Sequence, residues 1–204
     1  MGIFYDLDGH HYGIGVGLSV YVDGKRSYGP KPLAPVKITI PPARLKASAL
    51  SPRVDLLVNP GVPDGPIATA SSSITPAAIE QAIDGRLWFF PENPNGWTPA
   101  PENTGQSSWY SIDLRQNRTI DLVKLYFFSD GKQYQVPSEF QLQTLTPGGW
   151  QDIQEQQHSP QQPIANGEND ITFPAITTQN LRVVISNPSA PATFRLIEIE
   201  GFAP

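Results

Sequence analysis

The chain contains no cysteine and only one methionine among its 204 residues. The lack of cysteine excludes disulfides, thiolate metal sites and cysteine nucleophiles together. No apolar run approaches the roughly 18 to 20 residues of a membrane-spanning helix, and no basic-then-apolar leader opens the sequence. The sequence therefore predicts a globular protein without a membrane span.

Charged residues are also scarce, at 16% of the chain, and they are unevenly placed. Residues 1–63 carry seven Lys and Arg against four Asp and Glu, whereas residues 64–204 carry seven against fifteen. Because an acidic surface repels phosphates, nucleic acid is not an expected partner of the larger part. The cations of the first part are scattered from Lys25 to Arg53, which is typical of a solvated surface.

Proline and glycine are abundant, at 22 and 17 residues, and they favour short strands joined by turns. In residues 1–63 we expect a small β unit with a hairpin at 12–22, a strand at 35–40 and a proline-rich connector at 51–66. Gly13, Gly15 and Gly17 do not form a dinucleotide fingerprint, because Leu18 stands where the third glycine is needed. Their spacing predicts a strand with one bare face that packs closely against a neighbour.

Residues 64–204 carry stronger signals. The segment 75–83 predicts a short helix, with Thr75 as N-cap and Pro76 at the first helical position. The glutamine-rich tract 151–163 predicts a surface loop. Alternating or apolar runs predict an all-β fold, an antiparallel jelly-roll β-sandwich of about eight strands, with strands at 109–114, 119–128, 138–145, 149–153, 169–173, 180–186 and 194–202.

The ordered segments AIDG, SSWYSIDL, TIDLVKLYF, VPSEFQLQTL, GGWQDI, NLRVVISN and FRLIEIEGF resemble the discoidin, or coagulation-factor type C, domain. They are also similar to carbohydrate-binding modules of family 32. The resemblance covers residues 64–204 and implies a galactose-binding-like sandwich. The opening segment YDLDGHHYGIGVGLSVYVDGK, residues 5–25, resembles one that accompanies such modules in large microbial glycoside hydrolases. Together these resemblances imply an extracellular or cell-surface accessory module of a larger carbohydrate-active protein.

The resemblance further implies a structural calcium ion, because the first glutamate of the closing EIE-like segment often helps to bind one. Calcium takes six to eight oxygen ligands, including main-chain carbonyls of irregular loops. The implied ligands are the side chains of Asp84 and Glu198 with carbonyls of Gln81 and Leu87, near Arg86. Arg-Leu-Trp follows Asp84-Gly85, where the family often has Asn or Asp and Thr or Ser. An Asp84 salt bridge or a plain Asp-Gly turn would explain the same residues.

Sugar binding needs flat apolar faces together with planar hydrogen-bonding groups. A galactose- or glucose-type glycan is the expected ligand, with a parent catalytic domain as the second partner. Packing alone is the alternative, since Trp97, Trp109 and Trp150 resemble core positions of the family, and Trp88 to Phe90 cannot all lie on one buried strand face. The candidate ligand-binding residues are Arg86, Trp88, Phe89, Phe90, Lys132, Tyr134 and His158.

Catalysis by this chain is not expected. Glu198 and Glu200 are two residues apart on a predicted strand, so they share a face at about 7 Å, but glycosidases place such a pair across a cleft. His10 and His11 are adjacent and would point to opposite faces of a strand, which argues against zinc. The leading interpretation is a non-catalytic carbohydrate-binding or structural module. A protein-interaction or adhesion domain remains the alternative.

Overall fold

The computed structural model describes residues 2–10, 13–22, 25–39, 53–89, 95–100, 107–189 and 192–204. The chain divides into two compact units, Met1–Ser51 and Pro52–Pro204. The sequence analysis set this division after residue 63. Residues 53–63 fall in the second unit, where Leu57 is fully buried in the hydrophobic core and the Leu56 N–H donates to the Gly201 carbonyl at 2.7 Å.

The first unit contains an antiparallel sheet of three strands in the order β1 (Gly2–Asp6), β2 (Gly17–Val22) and β3 (Lys25–Lys31). Of the hairpin predicted at 12–22, Gly17–Val22 are present as β2, with Leu18, Val20 and Val22 buried, and residue 12 lies outside the described residues. The strand predicted at 35–40 is wrong for residues 35–39, which form no ladder, and residue 40 lies outside the described residues. Pro35 lacks the N–H group that a ladder needs, and Val36 is exposed.

The glycine pattern before β2 has a different cause from the one predicted. Gly13 and Gly15 precede the strand, and all three glycines have positive φ, at 65°, 97° and 106°. A Cβ on Gly17 would lie 2.2 Å from the Lys31 carbonyl oxygen, and one on Gly15 would lie 2.9 Å from Pro30. Glycine is therefore required by backbone conformation and by close approach of β3 within the same unit.

The second unit is built from seven strands: β4 (Ile67–Ala70), β5 (Ser107–Phe128), β6 (Phe140–Thr146), β7 (Gly149–Asp152), β8 (Gln157–Ser159), β9 (Glu168–Ser186) and β10 (Arg195–Phe202). The predicted strands 109–114 and 119–128 are one long strand, β5, interrupted between Asp113 and Arg118. Segments 169–173 and 180–186 likewise merge into β9. The predicted loop 151–163 is wrong for Gln157–Ser159, which pair with β9 as β8.

Because β5 and β9 are long, each contributes to both layers of a sandwich. In one layer β4, the first part of β5, the second part of β9, β6 and β7 lie side by side. In the other, β10, the second part of β5, the first part of β9 and β8 do so. One core cluster joins residues of both layers, such as Tyr110, Leu142, Phe127 and Ile199. The antiparallel β-sandwich expected from the sequence is therefore confirmed.

The predicted helix at 75–83 is present only as 3-10 turns at Pro76–Ala78 and Glu80–Ala82. Thr75 precedes the first turn and Pro76 opens it, as expected, but the Thr75 side chain makes no capping bond. The Tyr110 hydroxyl donates to the Ile79 carbonyl at 2.5 Å. This carbonyl is thus held by the sandwich core, which anchors the turns across the end of the sheets.

Candidate functional site

A cavity of about 280 Å³ opens in the sandwich unit beside the 3-10 turns. Residues of four segments meet there: the turns, residues 95–98, the loop after β5, and the first residue of β10. Its lining residues are Ile74, Thr75, Ala77, Ala78, Gln81, Asn95, Gly96, Thr98, Tyr134 and Arg195. We call it the Arg195 cavity.

The cavity wall contains an arginine stacked on a tyrosine. The guanidinium carbon of Arg195 lies 4.0 Å from the Tyr134 ring centre and 5.7 Å from that of Phe128. The guanidinium also donates from Nη2 to the Tyr134 hydroxyl at 2.5 Å and from Nε to Thr98 Oγ1 at 3.4 Å. Cation–π stacking and these bonds together hold the Arg195 head group in one position.

Tyr134 is placed by its own loop. Asp130 Oδ1 accepts the N–H groups of Lys132 at 2.8 Å and Tyr134 at 2.9 Å, and these bonds lower the pKa of the Asp130 carboxyl. The Ser129 hydroxyl donates to the Tyr134 carbonyl at 2.9 Å. The Gln135 N–H then bonds to the Thr193 carbonyl at 2.9 Å, which brings this loop beside the start of β10.

The cavity residues Asn95, Gly96 and Thr98 are held in place by Trp97, which is fully buried as the resemblance implied. Its main chain exchanges hydrogen bonds with Leu196 at 2.8 and 2.9 Å, and its indole N–H donates to the Ser72 carbonyl at 2.8 Å. Gly96, beside it, has a φ of 91°, and a Cβ there would lie 2.2 Å from the Leu196 carbonyl oxygen. Only glycine therefore lets residues 95–98 approach β10 this closely.

The predicted aromatic ligands lie mostly outside this cavity. Phe89 packs with Tyr134 against Tyr126, Phe128 and Ile197 on the outer face of β5 and β10. The Trp88 indole nitrogen is buried without a hydrogen-bond partner. Phe90 lies outside the described residues. Of the candidate sugar ligands that the structure describes, Tyr134 is the one that lines the Arg195 cavity.

His158 lies on β8 and lines another cavity of about 400 Å³, and no described residue lines both this cavity and the Arg195 cavity. Its ring stacks on Phe140, with ring centres 5.0 Å apart and an interplanar angle of 8°. Burial lowers the pKa of the His158 imidazole, so the neutral form prevails at pH 7. The structure does not bring His158 and Tyr134 into one site.

Two tryptophans that resemble core positions are instead only half-buried, outside the core cluster. Arg182 lies between them, 4.3 Å from the Trp150 ring centre and 5.7 Å from that of Trp109. Its guanidinium donates to Gln143 Oε1 from both Nε and Nη2, at 2.9 and 2.5 Å. The core assignment is therefore right for Trp97 and wrong for Trp109 and Trp150, because both contact an arginine whose charge cannot enter the core without a counter-ion.

The implied calcium ligands come together next to the Arg195 cavity. Glu198 is fully buried; its Oε1 accepts the Gly85 N–H at 3.0 Å, and its Oε2 has no hydrogen-bond partner. Burial, with the nearby Asp84 carboxylate, raises the pKa of Glu198 to about 8. Burial also raises the pKa of Asp84, while Arg86 pairs with it at 3.4 Å. The Asp84 salt bridge, which the sequence analysis gave as the alternative to calcium, is present, and Asp84 also lies near Glu198.

Asn95, which the sequence analysis did not single out, completes this group. Its Nδ2 donates to the carbonyls of Arg86 at 2.8 Å and Gln81 at 3.4 Å, and its amide also bonds to Asp84. The Asn95 amide thus lies against the Asp84 carboxylate and two main-chain carbonyls, which are oxygen donors of the type that calcium takes. The Leu87 carbonyl, also implied as a ligand, has no described hydrogen bond to this group and stays a prediction.

The same residues do not resemble a transition-metal or catalytic centre. Within the described ranges, no three His, Asp or Glu side chains gather closely enough to chelate a metal ion. Glu200 accepts a hydrogen bond from the Tyr126 hydroxyl at 3.0 Å, whereas Glu198 is buried against Gly85. The two glutamates therefore do not face each other across a cleft.

Comparison with known families gives the identity of the fold. A model of the F5/8 type C domain matches residues 67–198, which include β4 to β9 and the first half of β10. The chain belongs to the F5/8 type C, or discoidin, family. The family resemblance of its ordered segments is thereby confirmed.

Solved structures share this discoidin fold at low sequence identity. A module of the Streptococcus pneumoniae β-galactosidase BgaA aligns with a TM-score of 0.65 at 14% identity, over 74% of this chain and 99% of that one. Chitosan-binding module 1 of the Paenibacillus sp. IK-5 chitosanase/glucanase aligns with a TM-score of 0.54 at 23% identity, over 74% of this chain and 99% of that one. A family 32 module of Clostridium perfringens, solved with GalNAc-β-1,3-galactose, aligns with a TM-score of 0.51 at 17% identity. The alignment covers 68% of this chain and 95% of that one. These likenesses establish the fold.

A search of curated protein sequences gives no significant match to this discoidin chain. In the part of the chain that the structure describes, no helix has the length and apolar character needed to span a bilayer.

Proposed function

We propose that the discoidin unit is a non-catalytic glycan-binding module that holds a sugar in the Arg195 cavity. The main support is the composition of the cavity wall. Thr75, Gln81 and Thr98 supply hydroxyl and amide groups for sugar hydroxyls, while the Tyr134 ring and alanine side chains supply apolar surface. A volume of about 280 Å³ suits one or two sugar rings.

The module would serve a carbohydrate-active enzyme that works outside the cell or on its surface. Support comes from the proteins that share its fold, which include modules of a β-galactosidase and of a chitosanase/glucanase. A module of this kind raises the effective concentration of glycan near a catalytic domain. The cavity wall contains no Asp or Glu among the described residues, in keeping with binding and not glycoside hydrolysis.

We also propose that calcium stabilises the module next to the cavity. Asp84, Glu198, Asn95 and the carbonyls of Gln81 and Arg86 would hold the ion, and its charge would balance the two adjacent carboxylates. The ion's role there is structural. By replacing the Asn95 hydrogen bonds, it would link the loop after the 3-10 turns to β10.

A glycan array followed by calorimetry tests the binding proposal. We expect wild-type protein to bind at least one glycan with micromolar to millimolar affinity, and Tyr134→Ala to lose that binding. Tyr5→Ala is the matched control, because Tyr5 is an exposed tyrosine of the small unit. Absence of binding to any glycan would contradict the proposal and favour a protein-interaction or adhesion role.

A further inference from the structure

The wall of the Arg195 cavity carries a positive charge in a protein that is acidic overall. The formal net charge of the chain is −5, and residues 64–204 alone carry fifteen Asp and Glu against seven Lys and Arg. In the cavity wall, however, Arg195 is the only charged side chain among the described residues. The local charge is therefore opposite to that of the surrounding unit.

Among the described residues Arg195 has no anionic partner, unlike three other cations of the same unit. Arg53 pairs with Asp121 at 2.8 Å, Arg86 pairs with Asp84, and Lys124 pairs with Glu168. Arg195 is only half-exposed, yet its described hydrogen bonds go to the neutral oxygens of Tyr134 and Thr98. A partly desolvated guanidinium without a counter-ion is unfavourable unless something supplies the anion.

The guanidinium retains the capacity to bind such an anion. Of its five N–H donors, the bonds to Tyr134 and Thr98 use one on Nη2 and the one on Nε. Both donors on Nη1 and the second on Nη2 have no described partner. Because stacking on Tyr134 already fixes the head group, little conformational entropy remains to be lost when an anion binds.

The nearby carboxylates do not neutralise this charge. Asp84 bonds to Asn95 at the edge of the cavity but is paired with Arg86, and its side chain is only 13% exposed. Glu198 is fully buried and accepts the Gly85 N–H at 3.0 Å. Neither residue belongs to the cavity wall. The free charge of Arg195 therefore remains available to a ligand.

We propose that the Arg195 cavity takes an acidic sugar, one whose carboxylate or sulfate group pairs with the Arg195 guanidinium. The planar fork of arginine matches the two oxygens of a carboxylate or sulfate. The hydroxyl and amide groups of Thr75, Gln81 and Thr98 then serve the sugar hydroxyls. This assignment rests on the proposed glycan-binding function and adds the charge of the ligand to it. The cationic amino groups of chitosan would be repelled.

The test uses pairs of sugars that differ only in charge, titrated calorimetrically into the full chain at low ionic strength. Galacturonic acid is compared with galactose, glucuronic acid with glucose, and galactose 6-sulfate with galactose. We expect an acidic member to bind about tenfold more tightly than its neutral partner or better, because charge-assisted hydrogen bonds are the stronger ones. The preference should shrink as salt is raised. The uronic acid and sulfate arms identify which acidic group is recognised.

Variants of Arg195 test whether its charge recognises the acidic group of the sugar. Arg195→Gln should bring acidic and neutral sugars to equal affinity, whereas Arg195→Lys should keep part of the preference. Arg118→Gln removes the same charge from an exposed site on β5 and should leave the preference intact. Equal affinity for acidic and neutral sugars in the wild type would overturn the inference while leaving glycan binding in place. Absence of binding to all of these sugars and to a wider glycan array would overturn both.

Discussion

The guanidinium of Arg195 lies 4.0 Å from the ring centre of Tyr134 and donates a hydrogen bond to the Tyr134 hydroxyl. The two residues are 61 positions apart and come from different segments, the loop after β5 and the first residue of β10. Each therefore fixes the other, and the pair forms one wall of the cavity. The position of the guanidinium charge, the orientation of the Tyr134 ring and the position of the loop after β5 all depend on this contact.

The first prediction concerns the two parts of that contact. Tyr134→Phe keeps the ring under the guanidinium but removes the hydroxyl acceptor, so we expect a loss of about 1 kcal/mol in unfolding free energy and a several-fold loss of sugar affinity. Tyr134→Ala should abolish sugar binding. Urea unfolding and calorimetry measure the two quantities. If Tyr134→Phe changed neither, the hydrogen bond would not position Arg195.

The second prediction concerns calcium. Addition of calcium to metal-free protein should raise the melting temperature, because an ion that binds only the folded state at a hundred times its Kd adds about 2.7 kcal/mol. For a chain of this size that corresponds to several degrees. Asp84→Asn should reduce the shift, and Asn95→Leu should remove the proposed amide ligand and reduce it as well.

The control for the calcium experiment is magnesium at the same concentration. Magnesium prefers a smaller octahedral site and retains its waters, so we expect it to raise the melting temperature much less. Identical melting curves with calcium and with chelator would remove Asp84, Glu198 and Asn95 from a metal-binding role.

The third prediction concerns pH and Asp55. Asp55 accepts the N–H groups of Gly201 at 2.8 Å and Leu57 at 3.0 Å, yet burial raises its pKa to about 6. The folded state then keeps a proton that the unfolded state loses near pH 3.8, so the stability contribution of Asp55 falls as pH rises from about 4 to about 6. The loss amounts to about 3 kcal/mol.

Asp55→Asn keeps an oxygen acceptor and cannot ionise, so it isolates this effect from all other titrating groups. The difference in unfolding free energy between Asp55→Asn and wild type should become more favourable to the variant as pH rises through this window. Urea denaturation at pH 4, 5, 6 and 7 measures it. A difference that stays constant with pH would show that Asp55 ionises normally in the folded protein.

The fourth prediction concerns glycines of the small unit. Gly29 has a φ of 79°, and its Cβ would lie 1.9 Å from the Leu18 carbonyl oxygen. We expect Gly29→Ala and Gly17→Ala to destabilise the β2–β3 hairpin by more than about 2 kcal/mol. Gly13→Ala is the control, since its φ of 65° brings strain but no atom lies within 4 Å, and it should cost about 1 kcal/mol.

Amide hydrogen exchange in β2 and β3 is the suitable measurement for these glycines, because all four tryptophans lie after residue 87 and would not report on the small unit. Equal exchange rates in the three variants would contradict the close approach of the two strands.

Local patterns predicted the sandwich well, since apolar alternation in the strands follows from burial of one face. They failed where partners decide the structure. Residues 35–39 alternate but pair with no strand, whereas Gln157–Ser159 look like a loop yet pair with β9. The sequence analysis predicted two strands where the structure has β5 alone. Arg115, with a φ of 64°, interrupts β5 without ending it.

The candidate site was predicted in part for the same reason. Tyr134, Asp84 and Glu198 stand in segments with clear local or family signals. Arg195 and Asn95 were missed because their roles come from contacts with residues distant in the sequence: Arg195 with Tyr134, and Asn95 with the Gln81 carbonyl. The sequence did carry a signal for Arg195, which is the one cation of the acidic last strand. A charge in the sequence, however, does not show whether an anionic residue pairs with it in the fold.

The most direct test of the account is amide NMR of the protein titrated with an acidic sugar. Saturable shifts should cluster on the wall of the Arg195 cavity, at Thr75, Gln81, Asn95, Gly96, Thr98, Tyr134 and Arg195. Shifts that cluster instead around His158 and Phe140, or no shifts with any sugar, would contradict the claim that this cavity binds glycan.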